Sequence, residues 1–515
     1  MTETTKEPRF TSSLKWQSVN VTVQVVLQLG FIAALARLIS PDAFGVMAIA
    51  LVVVGFIEIF AQVGIGPALI QNSHVINKHR QTAFIFSLLL GVIFFGATYV
   101  AAPSVAEFYE KPQLTEVLRW IALSFIISGA SVVPRSMLIK EMRFKSLFAC
   151  SALAMVLGNL IIGLGLALYG YEIWAYVFAL LSQNTILGIC YWAFYPGPVG
   201  LKMDKEALKE MVGYGGRSTI FNMINYAAGK VDTMIVAKFS TDWRLTGFYD
   251  RSSYLMGLPV TVLGKLGDSV LFSGMSMLQS DKERLRTTVL KASHAISTLV
   301  IPLTALLVLR AENFTVLLLG EQYLEAAPIV EVLFFCVALR SFIKIGDASM
   351  RATDSLTIGS LIKLGFLGAV SYGVWDTMSS NSSDFSGFYY AASAVVIATA
   401  LQTVAVAAWI WLGLKVNIFK LVKSLLPGLM LCLPVLATEY IMTHDLLSDL
   451  LIWSSGLVSE IDQTISIGLH IIFAGITALI LVVAIPEVLD GGFPEMRKKL
   501  ASKLPNSLFS NRLSR

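Results

Sequence analysis

Ionisable side chains lie inside long apolar stretches of this chain, where water is scarce. The stretch at residues 213–238 is the most polar of them and contains Asn225, Lys230 and Asp232. Other apolar stretches contain further ionisable residues, among them Glu58, Arg119, Lys265, Lys344 and Lys363. A charge at the centre of a lone membrane helix costs about 2.5–3.5 kcal/mol on insertion scales. We therefore expect these side chains to face water, one another or a ligand rather than lipid.

The basic residues of this set outnumber the acidic ones, which indicates an anionic ligand. Lysine and arginine both bind phosphate groups, and arginine can hold one with two parallel hydrogen bonds. The predicted binding residues of a shared cavity are Lys230, Arg119, Lys344, Lys265, Lys363 and Asn225. Asp232 and Glu58 are the candidates for exchanging a coupling ion, such as a proton or sodium.

A purely structural role is the alternative for several of these residues. Lys265 and Lys344 each lie three positions before an aspartate, so each pair can neutralise itself along one helix face. Both lysines also lie near predicted helix ends, where a lysine can extend to the membrane surface. Lys230 and Asp232 are two positions apart and point to different sides of a helix, so each needs another partner.

Fourteen apolar stretches, each long enough to cross a bilayer, must position these residues. The 515-residue chain is 56% hydrophobic and 14% charged, whereas soluble domains are about 25% charged. A bilayer core requires about 20 apolar residues in a helix. The predicted spans are 18–39, 44–69, 82–102, 114–134, 146–169, 173–195, 213–238, 246–272, 289–309, 326–346, 355–375, 388–412, 421–441 and 464–485. The sequence thus predicts an all-α polytopic membrane protein with about 14 transmembrane helices.

Lysine and arginine are distributed unequally between the two sides of the predicted membrane domain. If the N-terminus is cytoplasmic, 27 of the 39 basic residues fall in segments on that side and only 6 on the other. The outer segment 442–463 has no basic residue and contains four acidic ones. By the positive-inside rule, we expect both termini to be cytoplasmic.

A weak repeat of about 200 residues indicates two similar halves. Residues 36–37 and 44–47 of the first half correspond to residues 237–238 and 246–249 of the second. Parallel repeats predict two bundles about an axis along the membrane normal, with a central cavity between them. The predicted domains are a six-helix bundle (1–200), an amphipathic linker (201–212), a second six-helix bundle (213–412), two further helices (413–485) and a basic cytoplasmic tail with an amphipathic helix (486–515). We expect the apolar face of the linker to lie on the membrane surface.

Several chemistries have no matching residues in the sequence. There is no G-x-x-x-x-G-K-[ST] phosphate loop, no His/Cys set with metal-ligand spacing and no TVGYG-like filter. The four cysteines all lie within predicted spans and are expected to be small packing residues. No catalytic residue, metal, cofactor or nucleic-acid partner is therefore predicted, and we do not expect an enzyme. A transporter driven by a gradient is the remaining class.

Several short motifs occur in an order that is typical of one group of transporters. In the first half they are LARLISPDAFGVMA (35–48) and GIGPALIQ (64–71). In the second half they are VDTMIV (231–236), GFYDR (247–251) and MLQSD (277–281). The chain resembles polysaccharide flippases of the Wzx type, in the multidrug/oligosaccharidyl-lipid/polysaccharide exporter superfamily. The resemblance is greatest to the colanic acid and lipopolysaccharide exporter branch.

The resemblance implies a flippase that moves undecaprenyl-pyrophosphate-linked oligosaccharide repeat units across the bacterial cytoplasmic (inner) membrane for surface polysaccharide biosynthesis. It implies two six-helix bundles around a central cavity plus two C-terminal helices, and we expect them to work by alternating access. Membrane lipids, a polysaccharide polymerase and glycosyltransferases are the expected partners. Relatives hold the pyrophosphate and sugars with cationic cavity residues, but no candidate residue here matches a family motif one by one.

Two alternatives within the same superfamily are a drug/cation antiporter and a lipid II flippase. The antiporter would need an acidic pocket, whereas the intramembrane excess in this chain is basic. The lipid II flippase would differ only in its glycan. A membrane-embedded glycosyltransferase would need a large outer loop with catalytic residues, and the longest outer segment, 442–463, contains no such set.

Overall fold

Helices form the whole of the regular secondary structure in the described ranges of this computed structural model. The described residues are 7–62, 65–71, 75–197, 203–267, 275, 281–381 and 385–443. Ten helical segments within them are long and apolar enough to cross a membrane. The predicted all-α membrane fold is therefore confirmed.

The helices follow the predicted spans closely. In chain order they are α1 (Glu7–Leu38), α2 (Pro41–Gln62), α3 (Ile65–Gln71), α4 (Asn77–Phe108), α5 (Gln113–Ile121), α6 (Leu123–Lys140), α7 (Phe144–Ala154), α8 (Leu164–Leu168), α9 (Glu172–Phe194), α10 (Lys205–Phe239), α11 (Trp243–Gly267), α12 (Lys282–Leu309), α13 (Ala311–Leu319), α14 (Ala327–Ala352), α15 (Leu356–Asn381), α16 (Phe385–Leu412) and α17 (Ile418–Thr443). A π-helix (Met155–Gly163) joins α7 to α8, and a 3₁₀ helix (Glu321–Ala326) precedes α14. The fourteenth predicted span, 464–485, and the tail at 486–515 lie outside the described residues, so the total of 14 stays a prediction.

Two predicted spans each consist of two helices. The span at 44–69 corresponds to α2 and the short α3, and the span at 114–134 corresponds to α5 and α6. At the junction of α5 and α6, the Ala122 N–H still bonds to the Leu118 carbonyl at 2.9 Å. Together α5 and α6 therefore form one apolar segment of 28 residues.

The fourth predicted span ends at Pro134, but α6 continues through this proline to Lys140. Proline has no N–H and leaves the carbonyl four residues earlier without its helical partner. Here that carbonyl, of Ala130, accepts a hydrogen bond from the indole N–H of Trp192 on α9 at 3.0 Å. Because this bond compensates for the proline, the six residues after Pro134 belong to the membrane helix rather than to the predicted loop.

The helices form two compact units, and unit 1 contains most of the N-terminal half. Its residues fall within Met1–Tyr254, Leu318–Ile329 and Lys363–Val395. In this unit α4 packs on α6, and α9 packs on α6 and on the π-helix. A large buried apolar cluster brings together residues of α2, α4, α5, α6 and α9, including Met47, Leu118 and Phe125.

The start of α10 packs against protein. From Lys205 onward, the predicted linker and the seventh predicted span form this one continuous helix. The carboxylate of Asp204 accepts a hydrogen bond from the Ala207 N–H, and the Asp204 N–H donates to the Thr82 hydroxyl on α4, both at 2.9 Å. Ala207 and Met211 are 1% and 3% exposed and belong to a buried cluster with residues of α3, α4 and α6. The sequence predicted that the apolar face of this segment lies on the membrane surface. The structure instead buries Ala207 and Met211 of this face against protein.

Unit 2 is held together by close helix contacts at small residues. Its residues fall within Leu255–Leu317, Val330–Ile362 and Val396–Arg515. The Ser297 hydroxyl of α12 donates to the Ser424 carbonyl of α17 at 2.7 Å. A Cβ on Gly428 of α17 would clash with the Ser297 carbonyl. Small residues let membrane helices approach this closely, and van der Waals contact then stabilises the pair.

The fourth and tenth predicted spans end in the same local structure. After α6 the Arg143 N–H bonds to the Leu138 carbonyl at 2.9 Å, and after α14 the Ser355 N–H bonds to the Met350 carbonyl at 2.8 Å. The residues immediately before the two donors have φ values of 55° and 53°. Both ends are thus Schellman motifs with a left-handed residue that is not glycine. Corresponding helices of the weak sequence repeat therefore end in the same way.

Candidate functional site

A polar cavity of about 660 Å³ lies within unit 1. Its wall is formed by α1, α2, α3, α6, α7, the π-helix and α9. The lining residues extend as far as Ile70 near the end of α3 and Ile139 near the end of α6. Because these helix ends lead into the predicted cytoplasmic connections, the cavity extends toward the predicted cytoplasmic side.

Amide and hydroxyl groups make up most of the polar wall. The amides are Gln24, Gln28, Asn159, Gln183 and Asn184, and the hydroxyls are Ser124, Ser128, Ser131, Ser136, Ser151, Tyr176 and Tyr191. Both kinds of group donate and accept hydrogen bonds. Such a wall suits a neutral ligand that is itself rich in hydroxyl groups.

Asn159 is placed on the wall by the π-helical segment. Beside it, a Cβ on Gly158 would lie 2.6 Å from the Gln183 nitrogen, so the backbones of the π-helix and α9 touch. Asn159 is 5% exposed, and its Oδ1 has no hydrogen-bond partner in the described part of the chain. Unpaired buried acceptors are rare and costly, and π-helical insertions are frequent at functional sites. The Asn159 Oδ1 is therefore available to a ligand.

One acidic and one basic side chain, Glu58 and Arg135, also line the cavity. Glu58 on α2 is half-buried, whereas Arg135 on α6 is exposed. Within the residues that the structure describes, Arg135 forms no ion pair. A guanidinium that has no carboxylate partner can hold a phosphate group with two hydrogen bonds. The cavity thus combines one group for an anion with many groups for hydroxyls.

Aromatic rings close the end of the cavity that faces away from the predicted cytoplasmic side. Tyr176 lines the cavity and meets Phe31 and Phe44 edge-on, with ring centroids 6.4 and 5.7 Å apart. Behind them the Arg251 guanidinium lies 4.4 Å from the Phe44 ring centre, and its Nε donates to the Asp250 carboxylate at 3.0 Å. The side chains of this ion pair are 5% and 7% exposed. Aromatic rings and a buried ion pair therefore occupy this end of the cavity.

The predicted site residues lie in different places, and Glu58 is the one that lies on the cavity wall. Lys230 and Asn225 on α10 are half-buried outside this wall, and Lys230 forms no ion pair with described residues. Asp232 is 6% exposed and accepts a hydrogen bond from the Tyr249 hydroxyl at 3.2 Å. Lys230 and Asp232 thus have different surroundings, as their spacing predicted.

Arg119 completes the hydrogen bonding of a helix that contains a proline. Pro103 lies inside α4 and leaves the Tyr99 carbonyl without its helical partner. The Nε of Arg119 donates to that carbonyl at 3.5 Å, and its guanidinium lies 4.5 Å from the centre of the Tyr99 ring. These contacts lie in the last turn of α5, in the predicted outer half of the fourth span and away from the cavity wall.

Two other predicted lysines, Lys344 and Lys363, are not among the residues that line this cavity. Lys344 on α14 and Lys363 on α15 are half-buried. Lys265 lies on α11, and its side chain is outside the described part of the structure. A binding role for these three lysines stays a prediction.

Sequence reasoning missed Arg135 and the amides of the wall. It assigned Arg135 to a loop because Pro134 was expected to end the helix, and the Trp192 bond that prevents this joins residues 62 positions apart. The search considered mainly charged residues, and apart from Asn225 it proposed no asparagine or glutamine for binding. One signal was available, because Ser124, Ser128, Ser131 and Arg135 recur at the spacing of one helix face.

Comparisons with known proteins identify the family and several relatives of this chain. A family described as polysaccharide biosynthesis protein matches residues 34–328. The lipopolysaccharide biosynthesis protein WzxC of Escherichia coli (strain K12) is 21% identical over 333 residues, which cover 64% of this chain and 67% of that protein. The succinoglycan biosynthesis transport protein ExoT of Rhizobium meliloti (strain 1021) is 23% identical over 440 residues, which cover 79% and 87% of the two chains. The resemblance to Wzx-type proteins is confirmed.

Among solved structures, the lipid II flippase MurJ in an inward closed conformation superposes with a TM-score of 0.69. The match covers 91% of this chain and 98% of that chain, at 12% sequence identity. At this level of identity the likeness shows a shared fold and does not extend to the substrate.

Proposed function

Because the chain belongs to the family of polysaccharide biosynthesis proteins, we propose that it is a flippase for lipid-linked oligosaccharides. Its substrate is an oligosaccharide repeat unit joined through pyrophosphate to undecaprenol. It moves this unit from the inner to the outer leaflet of the bacterial cytoplasmic membrane, for surface polysaccharide biosynthesis. The relatives named as lipopolysaccharide and succinoglycan biosynthesis proteins support this class of substrate.

The composition of the cavity is the observation that carries the proposal. Five amides and seven hydroxyls provide hydrogen bonds for sugars, and Arg135 provides a positive charge for the pyrophosphate. A cavity for an apolar drug would instead be lined mainly by hydrophobic and aromatic side chains. The location of Arg135 near the end of α6 suits a pyrophosphate that stays close to the membrane surface while the glycan enters.

Transport proceeds by alternating access in this proposal. The cavity accepts the glycan from the cytoplasmic side while the polyprenyl tail stays in lipid, and the protein then closes behind the substrate and opens outward. The observed cavity extends toward the predicted cytoplasmic side, and aromatic rings close its other end. This arrangement is the one that loading requires.

The remaining predicted residues take secondary roles. Lys230 is the second candidate for the pyrophosphate, because it is half-buried and has no ion pair among the described residues. Lys344, Lys265, Lys363, Asn225 and Arg119 are candidates for contact at later stages of transit. Asp232 and Glu58 are the candidates for coupling to a proton or sodium gradient.

The distribution of basic residues supports an inner-membrane protein with both termini in the cytoplasm, because 27 of 39 lie on the N-terminal side. Glycosyltransferases supply the lipid-linked unit on that side, and a polysaccharide polymerase consumes it on the other. These enzymes are therefore the expected partners.

A lipid II flippase and a drug/cation antiporter are the competing functions. Lipid II carries the same pyrophosphate and differs in its glycan, so the cavity alone does not separate the two substrates. An antiporter for cationic drugs needs a net negative pocket, whereas Glu58 and Arg135 together leave this wall without net charge.

Deletion of the gene in its host tests the proposal. The expected result is loss of surface polysaccharide and accumulation of the lipid-linked repeat unit, measured by mass spectrometry of extracted lipids. Accumulation of lipid II would favour the peptidoglycan substrate instead. Unchanged polysaccharide together with increased drug sensitivity would favour the antiporter.

A further inference from the structure

Basic residues on the predicted outer side are few, and most of them gather in one region of unit 1. The sequence places six there: Arg37, Lys111, Lys238, Arg244, Arg251 and Arg310. All but Arg310 belong to unit 1. The positive-inside rule disfavours basic residues on this side, so a specific role is the simplest reason for their presence.

These cations surround a contact between two glycines, Gly45 on α2 and Gly247 on α11, which we call the outer seam. A Cβ on Gly45 would clash with the Trp243 carbonyl and lie 3.2 Å from the Gly247 nitrogen. A Cβ on Gly247 would clash with the Pro41 carbonyl and lie 3.2 Å from the Gly45 nitrogen. The backbones of α2 and α11 therefore touch, and no passage remains between them.

Two lysines connect the predicted repeats beside the outer seam. Lys111 follows the end of α4, and its ammonium lies 5.1 Å from the centre of the Trp243 ring. Lys238, at the end of α10, donates to the Phe108 carbonyl at 2.7 Å and lies 4.7 Å from the Phe108 ring centre. Its ammonium is also 3.4 Å from the Glu110 carboxylate, whose side chain is 83% exposed.

Two arginines make further contacts across the outer seam. The Arg37 guanidinium at the end of α1 donates to the Leu318 carbonyl at 3.4 Å. Arg251 on α11 lies over the Phe44 ring of α2, and its charge is balanced by the adjacent Asp250. Each predicted repeat therefore contributes cations that contact the other repeat.

The partners of the seam cations are mostly aromatic rings and main-chain carbonyls. Cation–π contacts and ion pairs at exposed sites are individually weak. A pyrophosphate presents charged oxygens, with which lysine and arginine form shorter and stronger hydrogen bonds. A pyrophosphate that reaches the outer seam would therefore compete successfully for these side chains.

We infer that the outer seam is the exit gate of the transporter and that Arg37, Lys111 and Lys238 form a pyrophosphate-binding site when it opens. The inference rests on the proposed function, because it assumes a pyrophosphate substrate. Binding of the pyrophosphate by the separated cations stabilises the open gate. Return of the cations to their rings and carbonyls then releases the substrate outward.

Ala237 on α10 is a suitable reporter of gate opening. It is 1% exposed and belongs to a buried cluster that also contains Val46 and Tyr109 of the first repeat. An Ala237→Cys thiol is therefore accessible from outside only when the outer seam opens. The experiment uses the full chain with its four native cysteines replaced by serine. A matched control is Ala154→Cys, at a position that is 0% exposed within the first repeat.

A membrane-impermeant maleimide is added to intact cells, together with inorganic pyrophosphate or with sodium sulfate at equal ionic strength. At about twice its dissociation constant, pyrophosphate should raise the labelling rate of Ala237→Cys about threefold over sulfate. The labelling rate of Ala154→Cys should not respond. Equal labelling of the Ala237→Cys reporter in the two salts would overturn the binding site.

Two further substitutions separate a binding role from a purely mechanical one. Lys111→Gln and Lys238→Gln, placed in the reporter background, should raise labelling in sulfate because the closed seam loses a contact. The same variants should respond less to pyrophosphate, whereas Lys238→Arg should retain the response. A full response in both glutamine variants would show that these lysines do not bind the anion and would overturn their assignment.

Surface polysaccharide is measured in the same cells, so the two hypotheses can fail separately. Normal export with a reporter that ignores pyrophosphate would overturn the exit-site inference and leave the proposed function intact. Failure of the proposed function would instead appear as a deletion strain that accumulates no lipid-linked repeat unit, whatever the reporter does.

Discussion

Two arginines that accompany prolines show how neighbouring contacts decide the role of a residue. Arg119 donates to the carbonyl that Pro103 leaves free, so its hydrogen bonding serves the helix. Arg135 follows Pro134 directly, but there Trp192 satisfies the free carbonyl. Arg135 therefore keeps its guanidinium available to the cavity. Residue type alone made Arg119 the stronger candidate, and the structure reverses the order.

Substitution of Arg135 tests its role in binding the pyrophosphate. Arg135→Gln is expected to lower the affinity for lipid-linked glycan about ten- to hundredfold, because a hydrogen bond to a charged group contributes about 1.5–3 kcal/mol. Arg135→Lys keeps the charge without the paired geometry and should lose less. Binding and flipping of labelled substrate in proteoliposomes measure both effects.

Arg119→Gln is the control for this experiment. It frees the Tyr99 carbonyl inside α4, so it should reduce the amount of folded protein. The affinity of each folded molecule for substrate that enters the cavity should stay unchanged, because Arg119 does not line the cavity. A normal substrate affinity in Arg135→Gln would remove Arg135 from the binding site.

At the scale of elements, the sequence predicted the membrane helices well and their irregularities poorly. Thirteen of the predicted spans lie on described helices. The length of an apolar stretch predicts such helices well, because the thickness of the bilayer directly sets that length. The break between α5 and α6, the continuation past Pro134 and the π-helix depend on contacts with other helices. The position of the linker was also predicted wrongly. Ala207 and Met211 pack against residues of α3, α4 and α6, and the local sequence pattern does not show which surface an apolar face contacts.

The start of α10 gives a pH-dependent prediction. The Ala207 N–H bond holds the pKa of Asp204 below its usual value, and Lys78 lowers it further. A lowered pKa means that this cap stabilises the helix above the unfolded pKa of about 3.9 and is lost as pH falls through the folded pKa. Asp204→Ala should therefore speed amide hydrogen exchange at residues 204–209 at pH 7. The difference from the unsubstituted chain should disappear at acidic pH, and Asp204→Asn should show an intermediate rate.

The contact between α2 and α11 gives a second prediction at this scale. Gly45→Ala places a methyl group against the Trp243 carbonyl, so the closed seam must loosen. Overpacking of this kind costs about 1–3 kcal/mol and should shift the equilibrium toward the open seam about 5- to 150-fold. Thiol labelling of Ala237→Cys measures the shift. Gly30→Ala is the control, because no atom lies within 4 Å of its Cβ, and equal labelling in the two variants would contradict the prediction.

For the whole molecule, the charge of the substrate gives transport a direction. Moving one charge across 100 mV changes the free energy by about 2.3 kcal/mol. A pyrophosphate with about two negative charges would thus gain about 4–5 kcal/mol on leaving an inside-negative cell. The cavity wall has no net charge to cancel this gain, since Glu58 and Arg135 offset each other.

Transport should therefore depend on membrane potential. In proteoliposomes, clamping the potential to zero is expected to slow net outward flipping of lipid-linked glycan markedly, and a reversed potential should oppose it. A fluorescent glycan and a quencher outside the vesicles measure the rate. An unchanged rate at zero potential would contradict the hypothesis that the membrane potential drives transport, and would favour ion coupling through Asp232 or Glu58.

At this scale the sequence predicted the class of protein but could not locate the cavity. Hydropathy was sufficient to predict a polytopic membrane protein, and the anionic substrate inferred from the excess of basic residues stays a prediction. The wall depends on which faces of α1, α6 and α9 meet, and most of its polar residues are uncharged and look unremarkable in sequence. Glu58 was found because a carboxylate inside an apolar stretch is conspicuous.

The contact of Gly45 with Gly247 has an evolutionary consequence. Gly45 faces the residue four positions before Gly247, and Gly247 faces the residue four positions before Gly45. Reciprocity of this kind defines an isologous interface between identical subunits. A half-length ancestor could therefore have formed the same contact as a homodimer before gene duplication and fusion joined the two copies. Co-expression of residues 1–200 and 201–515 as separate polypeptides would show whether the halves still recognise each other without a covalent connection.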